Sequence, residues 1–75
     1  MNEIELKIYD ALAHAAERDC GTLEDDDQFV QVLGFDSLTT AVFLLELESY
    51  FPGRFDMQKF RRDMTFGELK ELLSA

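Results

Sequence analysis

Apolar residues recur at helical spacing along most of this chain, and no segment shows the strict alternation of a half-buried strand. Ile4, Ile8, Leu12 and Ala15 form one stripe, flanked by Leu6, Tyr9 and Ala13, which predicts a first helix over residues 3–18. Asn2 stands where an N-cap is needed, Glu3 and Glu5 suit the positive helix start, and Gly21 is the expected stop. A second helix is predicted over 37–51, begun by Asp36 and Ser37 and ended by Pro52 and Gly53. A short one is expected over 56–62 with Asp56 as its cap. A last helix covers 66–74, where Thr65 and Glu68 have capping-box spacing and Phe66, Leu69, Leu72 and Leu73 form the apolar face.

Residues 21–36 remain as a long connection. Glu24, Asp25, Asp26 and Asp27 repel one another and are expected to stay solvated, while Phe29, Val30, Val32, Leu33 and Phe35 require part of the loop to dock. A short helical turn is expected near 28–32. The pattern predicts an all-α fold: a small antiparallel bundle of three main helices plus one short helix, with a long loop between the first and second. Its core is predicted to hold Ile8, Leu12, Phe29, Phe43, Leu47, Phe51, Phe60, Phe66, Leu69 and Leu73.

The second helix is apolar on two sides. Phe43, Leu44, Leu47 and Phe51 make one stripe, with Ala41 at its edge; Leu38, Val42, Leu45 and Ser49 make another. So small a bundle has too little material to cover both. The second stripe is expected to stay exposed as a docking patch, the alternative being burial under residues 28–35.

Composition narrows the function. With 75 residues the chain is expected to be a single domain over 1–75, too short for a two-lobed catalytic cleft, and at 47% hydrophobic it is too apolar for a disordered acidic tail. Sixteen acidic against seven basic side chains give a net charge of -9. The first fifty residues hold only Lys7 and Arg18 as bases; the rest are Arg54, Lys59, Arg61, Arg62 and Lys70. That balance argues against nucleic acid and anionic membranes and favours protein partners with basic patches. No apolar run approaches the roughly 20 residues of a membrane span, and the start MNEIELKIYD lacks the pattern of a secretory signal. A lone Cys20 excludes an internal disulfide and fits a reducing, cytoplasmic setting, with Cys20 a small residue at a helix end.

Candidate chemistry is sparse. In the acidic run Asp25 and Asp27 alternate as calcium ligands would, but Phe29 and Val30 occupy the following ligand positions and the central glycine is missing. His14 and Cys20 supply two of the three or four ligands zinc requires, and His14 reads as a structurally idle residue. No phosphate-cradling glycine loop and no marked acid pair is present, so no enzyme is expected. The informative stretch is Leu33-Gly34-Phe35-Asp36-Ser37-Leu38. It sets a serine in the first turn of a helix, where a phosphate ester would be favoured by free amides and the helix dipole; ordinary capping is the competing explanation.

Gly34-Phe35-Asp36-Ser37-Leu38 resembles the G-x-D-S-L motif of the acyl carrier protein family, and the likeness in length, acidity and element order extends over nearly the whole chain. The resemblance implies that Ser37 carries 4'-phosphopantetheine, installed from coenzyme A by a phosphopantetheinyl transferase. The arm would hold acyl groups as thioesters, passed from an acyl-loading ligase or acyltransferase to synthase enzymes with basic patches. It also implies that Asp36 helps the transferase recognise the site and that Leu38, Val42 and Leu45 face partner enzymes. Thr39, Thr40 and Val42 stand where fatty-acid carriers of the family usually have acids, and Glu46 and Glu48 come only later. The stretch is similar to that of polyketide-type carriers, and a free-standing monomer in secondary-metabolite biosynthesis is expected. Fatty-acid or aminoacyl/peptidyl carriers, and a non-carrier acidic helical adaptor, are the alternatives.

Overall fold

The computed structural model describes residues 2–74. Helix α1 spans Glu3–Ala16, capped by Asn2, whose Oδ1 accepts the Glu5 amide at 2.9 Å. It stops short of the expected residue 18 and well before Gly21. Glu17 adopts the left-handed conformation (φ 56°), and its amide and that of Arg18 both turn back to the Ala13 carbonyl. A single turn, α2, follows at Phe29–Val32, as the apolar cluster in the loop required.

Helix α3 spans Ser37–Tyr50, and a 3₁₀ turn at Met57–Lys59 takes the place of the longer helix expected over 56–62. Asp56 does cap it, accepting the Gln58 amide at 3.0 Å. It ends early because Phe60 swings into extended backbone and sets its ring edge-on against Phe29, 6.3 Å away. Helix α4 spans Phe66–Ser74 and opens with the predicted capping box: Glu68 accepts the Thr65 amide at 2.8 Å, and Thr65 Oγ1 accepts the Glu68 amide at 3.1 Å. Among the described residues there is no strand.

The helices α1 and α3 run antiparallel. Tyr50 donates to Asp10 at 2.9 Å, while His14, one turn further along α1, lies 3.6 Å from Glu46, one turn back on α3. Between them and α4 sits one core. Nine of its predicted members are buried; Phe60 is only half-buried, packed against the core's edge. Leu6, expected beside the α1 stripe, is exposed, and so is Ala41 on α3. Thr40 takes the core position instead, and its buried hydroxyl is satisfied by donating to the Asp36 carbonyl at 2.8 Å.

The acidic loop is less free than its charge suggests. The Asp27 and Asp25 carbonyls accept the Phe66 and Gly67 amides at 2.8 and 2.9 Å, filling two vacancies in the first turn of α4. Lys70 closes the contact with a 2.7 Å ion pair to Asp25, which raises the lysine pKa. On the α1 side, Tyr9 Oη accepts the Leu23 amide at 2.9 Å and Leu23 is buried.

Candidate functional site

The stretch from Val30 to Ser37 is built as a cap followed by a cap. The Phe35 amide returns to the Val30 carbonyl at 2.9 Å and the Gly34 amide to the Gln31 carbonyl at 3.1 Å, which is the double return of a Schellman motif ending α2. That motif requires a left-handed residue at Gly34, where φ is 69°, and an apolar contact between its ends, supplied by the buried Val30 and Phe35. The glycine is therefore set by backbone conformation and not by crowding: a Cβ there would meet nothing within 4 Å. Phe35 drops into the core against Phe43 (6.3 Å, 70°), and the chain emerges at once as the cap of the next helix.

Asp36 is that cap. Its Oδ1 accepts the Thr39 amide at 2.8 Å and its carbonyl accepts the Thr40 amide at 3.0 Å. The Thr39 amide, with lesser help from the Thr39 side chain, the Leu38 amide and the Arg62 charge, holds the Asp36 carboxyl below the usual carboxylate range. Asp36 does the capping, and Ser37 stands exposed at the first helical position of α3. The first two amides of α3, those of Ser37 and Leu38, precede any intrahelical bond.

Two guanidinium groups brace the loop. Arg18 Nη2 donates to the Leu33 carbonyl at 2.8 Å and Arg62 Nη2 to the Phe35 carbonyl at 3.3 Å, one on each side of Gly34. Along α3 from Ser37, Leu38, Val42 and Leu45 lie at spacings of four and three, with 73%, 36% and 62% of their surface exposed. The burial alternative under residues 28–35 is thereby excluded.

The other candidate residues lie elsewhere. His14 Nδ1 sits 3.2 Å from the Tyr50 hydroxyl, at the far end of α3 and about 20 Å along the helix from Ser37 at 1.5 Å per residue. It bridges α1 and α3 and does not approach the serine. Cys20 is half-buried, and burial raises its thiol pKa, away from a reactive thiolate. No group of three or more His, Cys, Asp or Glu poised to hold a metal occurs among the described residues. No helix among them is long and apolar enough to cross a membrane. The arrangement around Ser37 thus offers an exposed serine next to an ionised carboxylate, Asp36, that is engaged as the cap of α3.

Residues 7–73 match the family model described as a phosphopantetheine attachment site. No curated protein and no solved structure gives a significant match. Members of that family are non-catalytic carriers with covalently attached 4'-phosphopantetheine, and they interact with phosphopantetheinyl transferases and acyl-handling enzymes. The residues at Ser37 suit such a group. The serine is exposed for ester formation, and Arg62, whose charge reaches the neighbouring Asp36 carboxyl, would set positive charge near a phosphodiester in an otherwise acidic chain.

Proposed function

This chain belongs to the phosphopantetheine attachment site family, and we propose that Ser37 is its point of attachment. The observation that carries this reading is the division of labour at the start of α3: Asp36 caps the helix, leaving the Ser37 hydroxyl exposed and free to react. Ser37 Oγ attacks the β-phosphorus of coenzyme A and forms a phosphodiester. The pyrophosphate P–O bond breaks, 3',5'-ADP leaves, and the hydroxyl proton passes to a base of the transferase. Asp36, ionised and exposed beside the serine, marks the site for that enzyme. When bound, the arm supplies a terminal thiol that holds acyl groups as thioesters.

Intact mass after incubation with coenzyme A and a broad-specificity transferase tests the assignment. One phosphopantetheinyl increment is expected, and none with Ser37→Ala, whose fold should persist because Asp36 retains the cap. Modification of the alanine variant at another residue would overturn it.

We further propose that the chain works as a single acyl-carrier-like domain, monomeric and cytoplasmic, holding acyl intermediates of polyketide or related secondary-metabolite biosynthesis. The stretch Leu33–Thr39 and the absence of acids from Ser37 to Leu45 support this over a fatty-acid carrier. Leu38, Val42 and Leu45 form the docking patch, and its occupant is a loading or synthase enzyme with an apolar surface rimmed by basic groups. Asp36, Glu46 and Glu48 supply the matching negative rim.

A further inference from the structure

Helix α1 ends before its helical pattern does. It stops at Ala16, and Glu17 turns left-handed at φ 56° and ψ 35°. Glu17 is the one non-glycine residue with positive φ among the described residues, and its Cβ makes that conformation costly. The turn takes Arg18 out of the helix. The Arg18 amide bonds back to the Ala13 carbonyl at 3.3 Å, and just past it Asp19 Oδ1 accepts the Gly21 amide at 2.9 Å, so the backbone is held on both sides. From there the side chain crosses to the loop before α3, where Nη2 donates to the Leu33 carbonyl at 2.8 Å. Left-handed backbone at an ordinary residue clusters at functional sites, where it holds a group in place.

The bonded carbonyl belongs to the peptide unit that joins Leu33 to Gly34. A planar peptide unit can rotate as a plate between its two α-carbons, and glycine resists that rotation least, because it takes positive and negative φ about equally. Gly34 must stay at φ 69° for the cap of α2 to close and for the chain to enter α3 at Asp36. One edge of the plate is its own amide, held by the Gln31 carbonyl at 3.1 Å. At the opposite edge no backbone amide among the described residues donates to the Leu33 carbonyl, so Arg18 is what holds it. Crowding adds no restraint, since a Cβ on Gly34 would meet nothing within 4 Å.

We propose that Arg18 is a positioning residue for the modification of Ser37: by locking the Leu33–Gly34 peptide plane, it keeps the turn before the serine in the conformation that a transferase recognises. The proposal rests on attachment at Ser37. Arg18 acts through the backbone four residues before the serine and not on the serine itself. Without its bond the plane rotates, and only a fraction of molecules present the ordered turn. Apparent affinity for the transferase falls by that fraction, while the step after binding is unchanged. The fold persists, because Phe35 stays buried with its amide on the Val30 carbonyl.

The test compares Arg18→Met, which keeps an aliphatic stem and removes the donor, with Arg18→Lys, which restores a charged donor. Each full chain is assayed as substrate of a broad-specificity phosphopantetheinyl transferase with coenzyme A, after intact mass and peptide mapping have located the added group on the parent chain. Amide hydrogen exchange is measured on the unmodified proteins. In Arg18→Met the Gly34 amide should exchange about tenfold faster, the low end for losing a hydrogen bond from a charged donor, while the Leu47 amide in α3 is unchanged. KM for the carrier should rise several-fold at constant kcat, and Arg18→Lys should recover most of both losses. An unchanged Gly34 amide would overturn the proposal even beside a raised KM, since Arg18 would then be touching the transferase directly. An unchanged KM would overturn it too, as would equal acceleration at Gly34 and Leu47, which marks a general loss of stability. A parent chain that gains no mass at Ser37 would refute the attachment itself, and the role of Arg18 with it.

Discussion

Phe43 and Leu45 lie two positions apart on α3, yet truncating each to alanine should have opposite consequences. Phe43 is wholly buried, its ring meeting Phe29 edge-on at 5.7 Å and Phe35 at 6.3 Å, whereas Leu45 is 62% exposed. Phe43→Ala removes the buried ring and leaves a cavity, which costs about 3–5 kcal/mol, and the two edge-on pairs place it towards the upper end. At roughly 0.05–0.15 kcal/mol per residue, 75 residues carry a total stability of roughly 4–11 kcal/mol. The substitution therefore takes a large share of the whole. Leu45→Ala touches no core contact and should change stability by about 0.5 kcal/mol or less. Urea titration followed by helical circular dichroism separates the two: with a slope of about 1 kcal/mol/M, Phe43→Ala should lower the midpoint by several molar or abolish the transition. Because Phe35 rests on Phe43, the same variant should loosen the backbone before Ser37 and slow its modification. Equal midpoint shifts for the two variants would refute the division of α3 into a core face and a free face.

Val42→Asp should leave stability within about 0.5 kcal/mol while sharply reducing turnover by a cognate loading enzyme; loss of cooperative unfolding would instead place Val42 in the core. Gly67→Ala should fail to deliver the helix-propensity gain of up to about 1 kcal/mol, since its Cβ would stand 3.0 Å from the Asp25 carbonyl; a thermal midpoint raised by the full amount, several degrees, would show that the loop contact yields freely. Asp36 has a depressed folded-state pKa, so its contribution is complete above the unfolded value near 4 and is lost as pH falls through the lower folded value. Asp36→Asn keeps a capping side chain and should flatten the acid limb of a stability–pH curve, and an unchanged limb would count against that coupling.

The features legible in the sequence were those written in local spacing. Asn2, Asp36, Asp56 and the Thr65–Glu68 pair act within three residues of themselves, and each caps as its position predicts. The core stripes followed for the same reason. What escaped were bonds between elements. Nothing near Arg18 or Arg62 in the chain points to the carbonyls of Leu33 and Phe35, fifteen and twenty-seven residues away. The charge run Glu24–Asp27 predicted repulsion into solvent, because side chains dominate such a reading; the loop is held through its backbone carbonyls and by Lys70. Thr40 carries a hydroxyl, which argues against a core position in the sequence, and only the nearby Asp36 carbonyl makes it fit there.

The placement of Arg18 and Arg62 also bears on how an acidic carrier tolerates its own modification. The chain already has a net charge of -9, and a phosphodiester on Ser37 adds another negative charge beside the ionised Asp36. Two carboxylate-like charges so close would repel and oppose the cap that starts α3. Two of the seven basic side chains hold the loop at carbonyls within four residues of Ser37, which offsets part of that negative charge on the side of the loop. Their guanidinium groups are held by bonds to backbone oxygens, and the Arg62 charge already reaches the Asp36 carboxyl next to Ser37. The bond that positions the serine thus also keeps a counter-charge beside it, and neutralising either arginine should weaken the loop and the tolerance for the added charge together.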